Sequence, residues 1–152
     1  MDGTVVGIFI APEEAAPVVS LERVQAVAGR GLEGDRYYHR DGAGPAQEIT
    51  LIEAERLEAA GRDQGLDLAP GEHRRNIVTS GVELETLLGT RFTVGDAEVE
   101  AIRQNPPCRY LQDLTGKSVL EGLRNGGGVR GRIVTSGEIR LGDRIGRRSA
   151  VS

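Results

Sequence analysis

A single cysteine, Cys108, stands among the 152 residues, and tryptophan is absent. One thiol excludes an intrachain disulfide and every metal site built from several thiolates, zinc fingers and cysteine-ligated iron–sulfur clusters included. Two phenylalanines and three tyrosines leave little surface for stacking on single-stranded nucleic acid, so the core must be filled by valine, isoleucine, leucine and alanine. Lysine occurs once, as Lys117, and histidine twice, as His39 and His73, without the spacing of a histidine metal site. No apolar run approaches the roughly 18 residues that cross a bilayer, and the opening Met1-Asp2-Gly3-Thr4 carries an acid where a secretory leader needs a base. The expectation is one cytoplasmic domain over residues 1–152, with no membrane partner.

What charge there is lies unevenly. The net charge is −4, yet residues 1–70 hold 13 acids against 6 bases and residues 124–152 hold 7 arginines against 2 acids. Of the 19 bases, 18 are arginine, so the basic end reads first as the solvated surface of strands in an arginine-rich chain. The negative total and the scarcity of aromatics argue against a nucleic-acid partner.

Short, β-branched, alternating segments predict strands at 4–10, 24–28, 48–51, 76–79, 91–94, 97–104, 129–135 and 138–141. Gly95-Asp96 predicts a two-residue hairpin turn, with Ala97, Val99 and Ala101 on one face opposite Glu98 and Glu100. A second hairpin is expected around Ser136-Gly137, with Ile139 and Leu141 inward and Arg140 outward. Three capping boxes, Thr50 with Glu53, Ser80 with Glu83 and Ser118 with Glu121, predict short helices over 52–62, 82–88 and 119–124. These helices are too short and scattered for regular βα alternation. The expected class is therefore mainly β, a closed or partly closed, mostly antiparallel barrel with a few short helices over its openings. Ile-Val-Thr-Ser-Gly occurs at 77–81 and 133–137, but the flanking patterns differ and do not make a repeat.

Two segments carry the candidate chemistry. In Asn105-Pro106-Pro107-Cys108-Arg109-Tyr110 the prolines remove two backbone donors and fix φ, which predicts an extended loop ahead of the thiol. Arg109 beside it favours the thiolate, the form that attacks electrophiles and binds soft metals. A packed, inert thiol is the alternative. In His73-Arg74-Arg75-Asn76 the arginines offer forks for phosphate or carboxylate oxygens, and Asn76 offers a donor and an acceptor for the edge of a heterocycle. A solvated surface loop is the alternative there. The glycine-rich Gly29-Arg30-Gly31-Leu32-Glu33-Gly34 lacks the lysine and hydroxyl ending of a phosphate loop and reads as a turn connection.

Several stretches together resemble the MOSC family, named after the C-terminal part of molybdenum cofactor sulfurase. They are Gly31-Leu32-Glu33-Gly34-Asp35-Arg36-Tyr37, Arg74-Arg75-Asn76-Ile77-Val78-Thr79-Ser80-Gly81, Leu87-Leu88-Gly89 with Phe92-Thr93-Val94-Gly95-Asp96-Ala97, Pro107-Cys108 with Thr115-Gly116, and Leu141-Gly142-Asp143. The resemblance implies a β-barrel fold and a role for Cys108 either as sulfur carrier or as thiolate ligand to molybdenum. It also implies that Arg74 and Asn76 contact a molybdopterin cofactor; Arg109, by its place beside Cys108, joins the candidate cofactor-binding set as the residue that stabilises the anionic sulfur. Other members show Gly-Pro-Asp-Lys where this chain has Gly44-Pro45-Ala46-Gln47. Pyridoxal phosphate belongs to a separate region of the sulfurase and is not expected on Lys117. The implied partners are the small-molecule cofactor and a sulfur-donor or acceptor protein, and the implied function is either sulfur transfer or non-catalytic cofactor carriage.

Overall fold

The computed structural model describes residues 3–38, 47–124 and 126–147, in which short β-branched segments bounded by glycine and polar turns form eleven strands. Seven of them close a ring: β1 (Gly3–Ile10), β11 (Arg144–Arg147), β7 (Arg91–Val94), β8 (Ala97–Gln104), β9 (Val129–Thr135), β5 (Ile49–Glu53) and β6 (Ile77–Ser80), which pairs back onto β1. A ring of seven strands cannot alternate direction all the way round. One neighbouring pair must run parallel, and it is β5 with β6, joined by a crossover that contains helix α1 (Ala54–Gln64). The other ring pairs are antiparallel, so the barrel is mixed by one pair. Outside the ring, β2 (Val19–Ser20) extends β1, while β10 (Gly137–Arg140), β3 (Arg23–Val27) and β4 (Gly31–Leu32) form a second, three-stranded sheet.

Side-chain alternation fills the two sides of the wall differently. Ile8, Leu51, Ile77, Phe92, Val99 and Ile145 point into the barrel. Their neighbours Phe9, Ile52 and Val78 face outward onto Ala60 and Leu66, and onto Leu111 of helix α2 (Arg109–Thr115), Val119 of helix α3 (Val119–Gly122) and Leu123 just after it. Strands β1, β5 and β6 are thus covered on both faces, which is why their sequences read as nearly continuous apolar runs. The β7–β8 hairpin forms at Gly95-Asp96 as expected, with Val94 opposite Ala97 and Ala97, Val99 and Ala101 buried.

Other expectations are corrected. The capping box at Thr50 fails because Thr50 belongs to β5, where its amide and hydroxyl both bond Asn76 Oδ1 at 3.0 Å. Helix α1 starts only at Ala54, and Glu53 instead accepts the Leu84 N–H at 3.0 Å. At the second box only a 3-10 turn forms, Leu84–Leu87, because Ser80 bonds Glu55 rather than capping. The third helix ends at Gly122 without a Ser118 side-chain cap. The Ser136-Gly137 hairpin does not exist. After β9 the chain leaves the barrel and β10 pairs with β3, and Leu141 is 45% exposed rather than inward. Gly137 makes that departure possible, since a Cβ there would fall well inside contact distance of the Asp96 backbone.

Candidate functional site

Four neighbouring strands connect the two candidate segments. Gln104 at the end of β8 lies opposite Val129, Val129 opposite Leu51, Leu51 opposite Ile77, and Ile77 opposite Ile8. Residues 105–108 follow β8 and Gly127-Gly128 enter β9 at one end of that antiparallel pair, whereas residues 73–76 precede β6, which runs in the same direction as β8, so hydrogen bonds rather than strand ends must join the segments. Arg75 ties all three together. It is 6% exposed and donates from Nε to Gly127 O (2.8 Å), from Nη1 to His73 O (3.1 Å), and from Nη2 to Asn105 O (2.7 Å) and Pro106 O (3.3 Å). Asn105 and Pro106 lie beyond the end of β8, so their carbonyls have no ladder partner. The guanidinium takes the place of a neighbouring strand. Gly127 has to be glycine for this, because a Cβ would drive into Asn105 O.

None of these partners is a carboxylate. Burial pulls the Arg75 pKa down to about 10, Cys108 opposes that shift, and the charge of Arg130 reinforces it. Arg130 is half-buried on β9 and donates from Nε and Nη2 to Asn105 Oδ1. Its pKa is also lowered, by burial first and then by Arg103, while Tyr37 and Cys108 pull the other way. His73 is 3% exposed and accepts the Arg75 N–H on Nδ1 at 2.9 Å, which puts its proton on Nε2. Burial, with the charge of Arg75, pushes its pKa down to about 4, so it is a neutral packing residue set edge-on to Phe9.

Arg74 faces the other way. It holds a left-handed φ of 61°, which a side-chain-bearing residue adopts only at a cost of about 1 kcal/mol or more. Its Nη1 donates to Ala16 O at 2.7 Å, while Nη2 is buried with no hydrogen-bond partner among the described residues. Burial lowers its pKa, and Tyr110, Asp35 and Tyr37 oppose this. Asp35, Arg36 and Tyr37 close the far side of a recess of about 60 Å³ that Arg74 and Asn76 also line. There Asp35 accepts the Ala11 N–H at 2.9 Å, and Arg36 lies over the Tyr37 ring and donates to its hydroxyl. Burial raises the Asp35 pKa against the hydrogen bonds it accepts. Asn76 is the floor of the recess. Its Oδ1 accepts from Thr50, its Nδ2 donates to Phe9 O at 3.1 Å, and its own amide donates to Thr50 Oγ1 at 2.9 Å.

Cys108 is exposed and has extended backbone (φ −130°, ψ 164°) immediately before α2. The extended loop expected from the prolines is present, and the helix behind it was hidden by them. Arg109 is exposed on the first position of α2 and makes no hydrogen bond or ion pair among the described residues. The guanidiniums that interact with Cys108 are Arg75 and Arg130. Sequence reasoning offered Arg75 only as a fork for a ligand's oxygens, not as a buried brace, and read Arg130 as one more solvated strand arginine. The alternation Val129, Gly131, Ile133 did place Arg130 on the outer face, but only the fold shows what that face meets. Lys117 lies away from the thiol, ion-paired to Glu72 at 2.7 Å. His39 and Gly44-Pro45-Ala46 lie outside the described residues.

Chemically, these segments set one exposed thiol near the guanidiniums of Arg75 and Arg130, which pair with no carboxylate among the described residues. The fold and this cluster define a β-barrel protein with an exposed thiol and partly or fully buried arginines. A family model for the MOSC domain matches residues 39–146, and the chain belongs to that family. Among solved structures it is similar to the YUAD protein from Bacillus subtilis, with a TM-score of 0.80 and 18% identity over 95% of this chain and 94% of that one. YiiM from Escherichia coli gives a TM-score of 0.70 and 18% identity over 100% and 72% of the two chains, and YiiM from Geobacillus stearothermophilus gives 0.71 and 15% over 97% and 75%. At these identities the likeness is one of fold. No curated protein matches the chain.

Proposed function

We propose that the protein is a sulfur-transfer component of molybdenum-cofactor chemistry, with Cys108 carrying the transferred sulfur as a persulfide. The observation that carries this reading is the exposed Cys108 beside two arginines whose hydrogen bonds go to neutral oxygens, leaving their charge for an anionic sulfur. Membership of a family linked to molybdenum cofactor sulfurase supports it. A persulfide survives only where no second thiol attacks it to form a disulfide, and this chain holds no other cysteine.

A second reading, in which Cys108 is the thiolate ligand of molybdenum in a bound molybdopterin, is favoured by the unpaired, buried Arg74 Nη2. The donor set fits that group: Arg74 would hold a phosphate oxygen, Asn76 would keep the recess in shape through Thr50 and Phe9, and Cys108 would supply the soft ligand. The bound cofactor would supply the metal's redox or sulfur-accepting chemistry. Protein purified without oxygen from a host that makes molybdopterin separates the readings. A gain of one sulfur atom on Cys108 supports the carrier, and stoichiometric molybdenum lost in Cys108→Ser supports the ligand. Neither mass nor metal in the wild-type protein would refute both.

A further inference from the structure

Arg75 is an unusual buried cation. Buried arginines are normally held by a carboxylate, which cancels the charge as well as satisfying the donors. Here Nε, Nη1 and Nη2 all end on main-chain carbonyls, at Gly127, His73, Asn105 and Pro106, and no ion pair involves Arg75 among the described residues. Carbonyl dipoles satisfy hydrogen bonds but leave the unit charge in place. Two of those carbonyls belong to the loop that leads directly into Cys108, so the charge is locked to the thiol's own backbone. Arg130 adds a second cation to the same loop through Asn105 Oδ1, and no hydrogen bond takes its Nη1 among the described residues. The local excess is positive in a chain whose net charge is −4.

We propose that Arg75 is the fixed counter-charge of the Cys108 sulfur and that it makes the site selective for anionic sulfane-sulfur donors of the thiosulfate class. The inference rests on the sulfur-carrier reading for its donor and on the geometry alone for its charge selectivity. With thiosulfate, the thiolate attacks the outer sulfur, and the bond from that sulfur to the sulfonate sulfur breaks. The bonding pair leaves on sulfite, and Cys108 keeps the outer sulfur as a persulfide anion. Charge and atoms balance without an external oxidant or reductant. Four of the five Arg75 N–H groups are engaged by carbonyls, and the residue acts through its field, as a positioning and charging residue. Arg130 Nη1 is the donor left beside the loop that leads into Cys108 to receive the departing oxyanion.

Two arms test this on the full chain. The first compares alkylation of Cys108 by iodoacetate and by neutral iodoacetamide, relative to a free thiol in the same buffer. The wild type should favour the anionic reagent by about tenfold, falling toward the free-thiol ratio in salt. Arg75→Lys should keep most of that preference and Arg75→Met should lose it, while Arg130→Gln should reduce it by about threefold. The second arm follows the gain of sulfur on Cys108 from thiosulfate and from glutathione persulfide. Thiosulfate charging should fall by about tenfold in Arg75→Met and Arg130→Gln. An unchanged iodoacetate preference in a natively folded Arg75→Met overturns the counter-charge. Should that variant fail to fold, an unchanged preference in Arg130→Gln overturns it instead. Charge selectivity with no sulfur gained from either donor would leave the counter-charge standing and sink the sulfur-carrier reading, together with the donor class drawn from it.

Discussion

Arg74 and Asn76 sit two residues apart at the mouth of β6, and their surroundings assign them opposite duties. Asn76 has its amide oxygen and nitrogen engaged by Thr50 and Phe9 on neighbouring strands, so Asn76→Ala strips a buried clasp between β1, β5 and β6. Urea unfolding should register a loss of about 2–3 kcal/mol. Arg74 combines a left-handed backbone with a buried N–H that has no partner among the described residues, and both weigh against the fold. Arg74→Gly should therefore melt no lower than the wild type, and by relieving φ should gain up to ~1 kcal/mol, while losing affinity for phosphate-bearing ligands. A large loss of stability in Arg74→Gly would make it a fold residue. His73 gives a pH signature. Its folded pKa of about 4 lies below the unfolded value near 6.5, so the unfolded chain binds the proton first as pH falls. The His73 contribution is fully present above pH ~6.5, and about 2 kcal/mol of it is lost between pH 6.5 and 5. Asp35 and Glu53, with raised pKa values, act in the opposite sense, so the test is the difference in denaturation between wild type and His73→Gln at the two pH values. Sequence showed these residues as one polar run. It did not show that Asn76 would be consumed by hydrogen bonds or that Arg75 would turn inward, because both depend on strands far away in the chain.

The elements were legible wherever local pattern and tertiary fate agreed. β7, β8 and β9 have the bounds that alternation predicts, since one face of each meets the core and the other carries polar partners such as Glu100 with Arg132. The capping boxes misled because the same side chains had better partners across the fold: Thr50 with Asn76, Glu53 with Leu84, Ser80 with Glu55. Two glycine substitutions test the packing account in opposite directions. Gly61→Ala adds a methyl inside α1 with only ordinary contact to Leu66 O, and should stabilise by about 0.5–1 kcal/mol in thermal melts. Gly137→Ala forces a methyl into the Asp96 backbone and should cost about 2 kcal/mol or more. Equal effects from the two would mean that the β10 crossover does not rest on that close approach.

At the scale of the whole molecule, the seven-stranded ring sets the stretches that the site joins. Its single parallel pair puts the starts of β5 and β6 side by side, and antiparallel β8 and β9 bring the end of one and the start of the other together. Side chains then tie these stretches to one another: Thr50 to Asn76, Arg75 to Asn105, Pro106 and Gly127, and Arg130 to Asn105. The most direct test of this account is the mass of the Cys108 peptide from protein kept anaerobic and exposed to glutathione persulfide. It predicts one added sulfur atom per chain, removed by dithiothreitol and absent in a normally folded Cys108→Ser. An unmodified peptide, from protein whose Cys108 is still open to iodoacetamide, would contradict it.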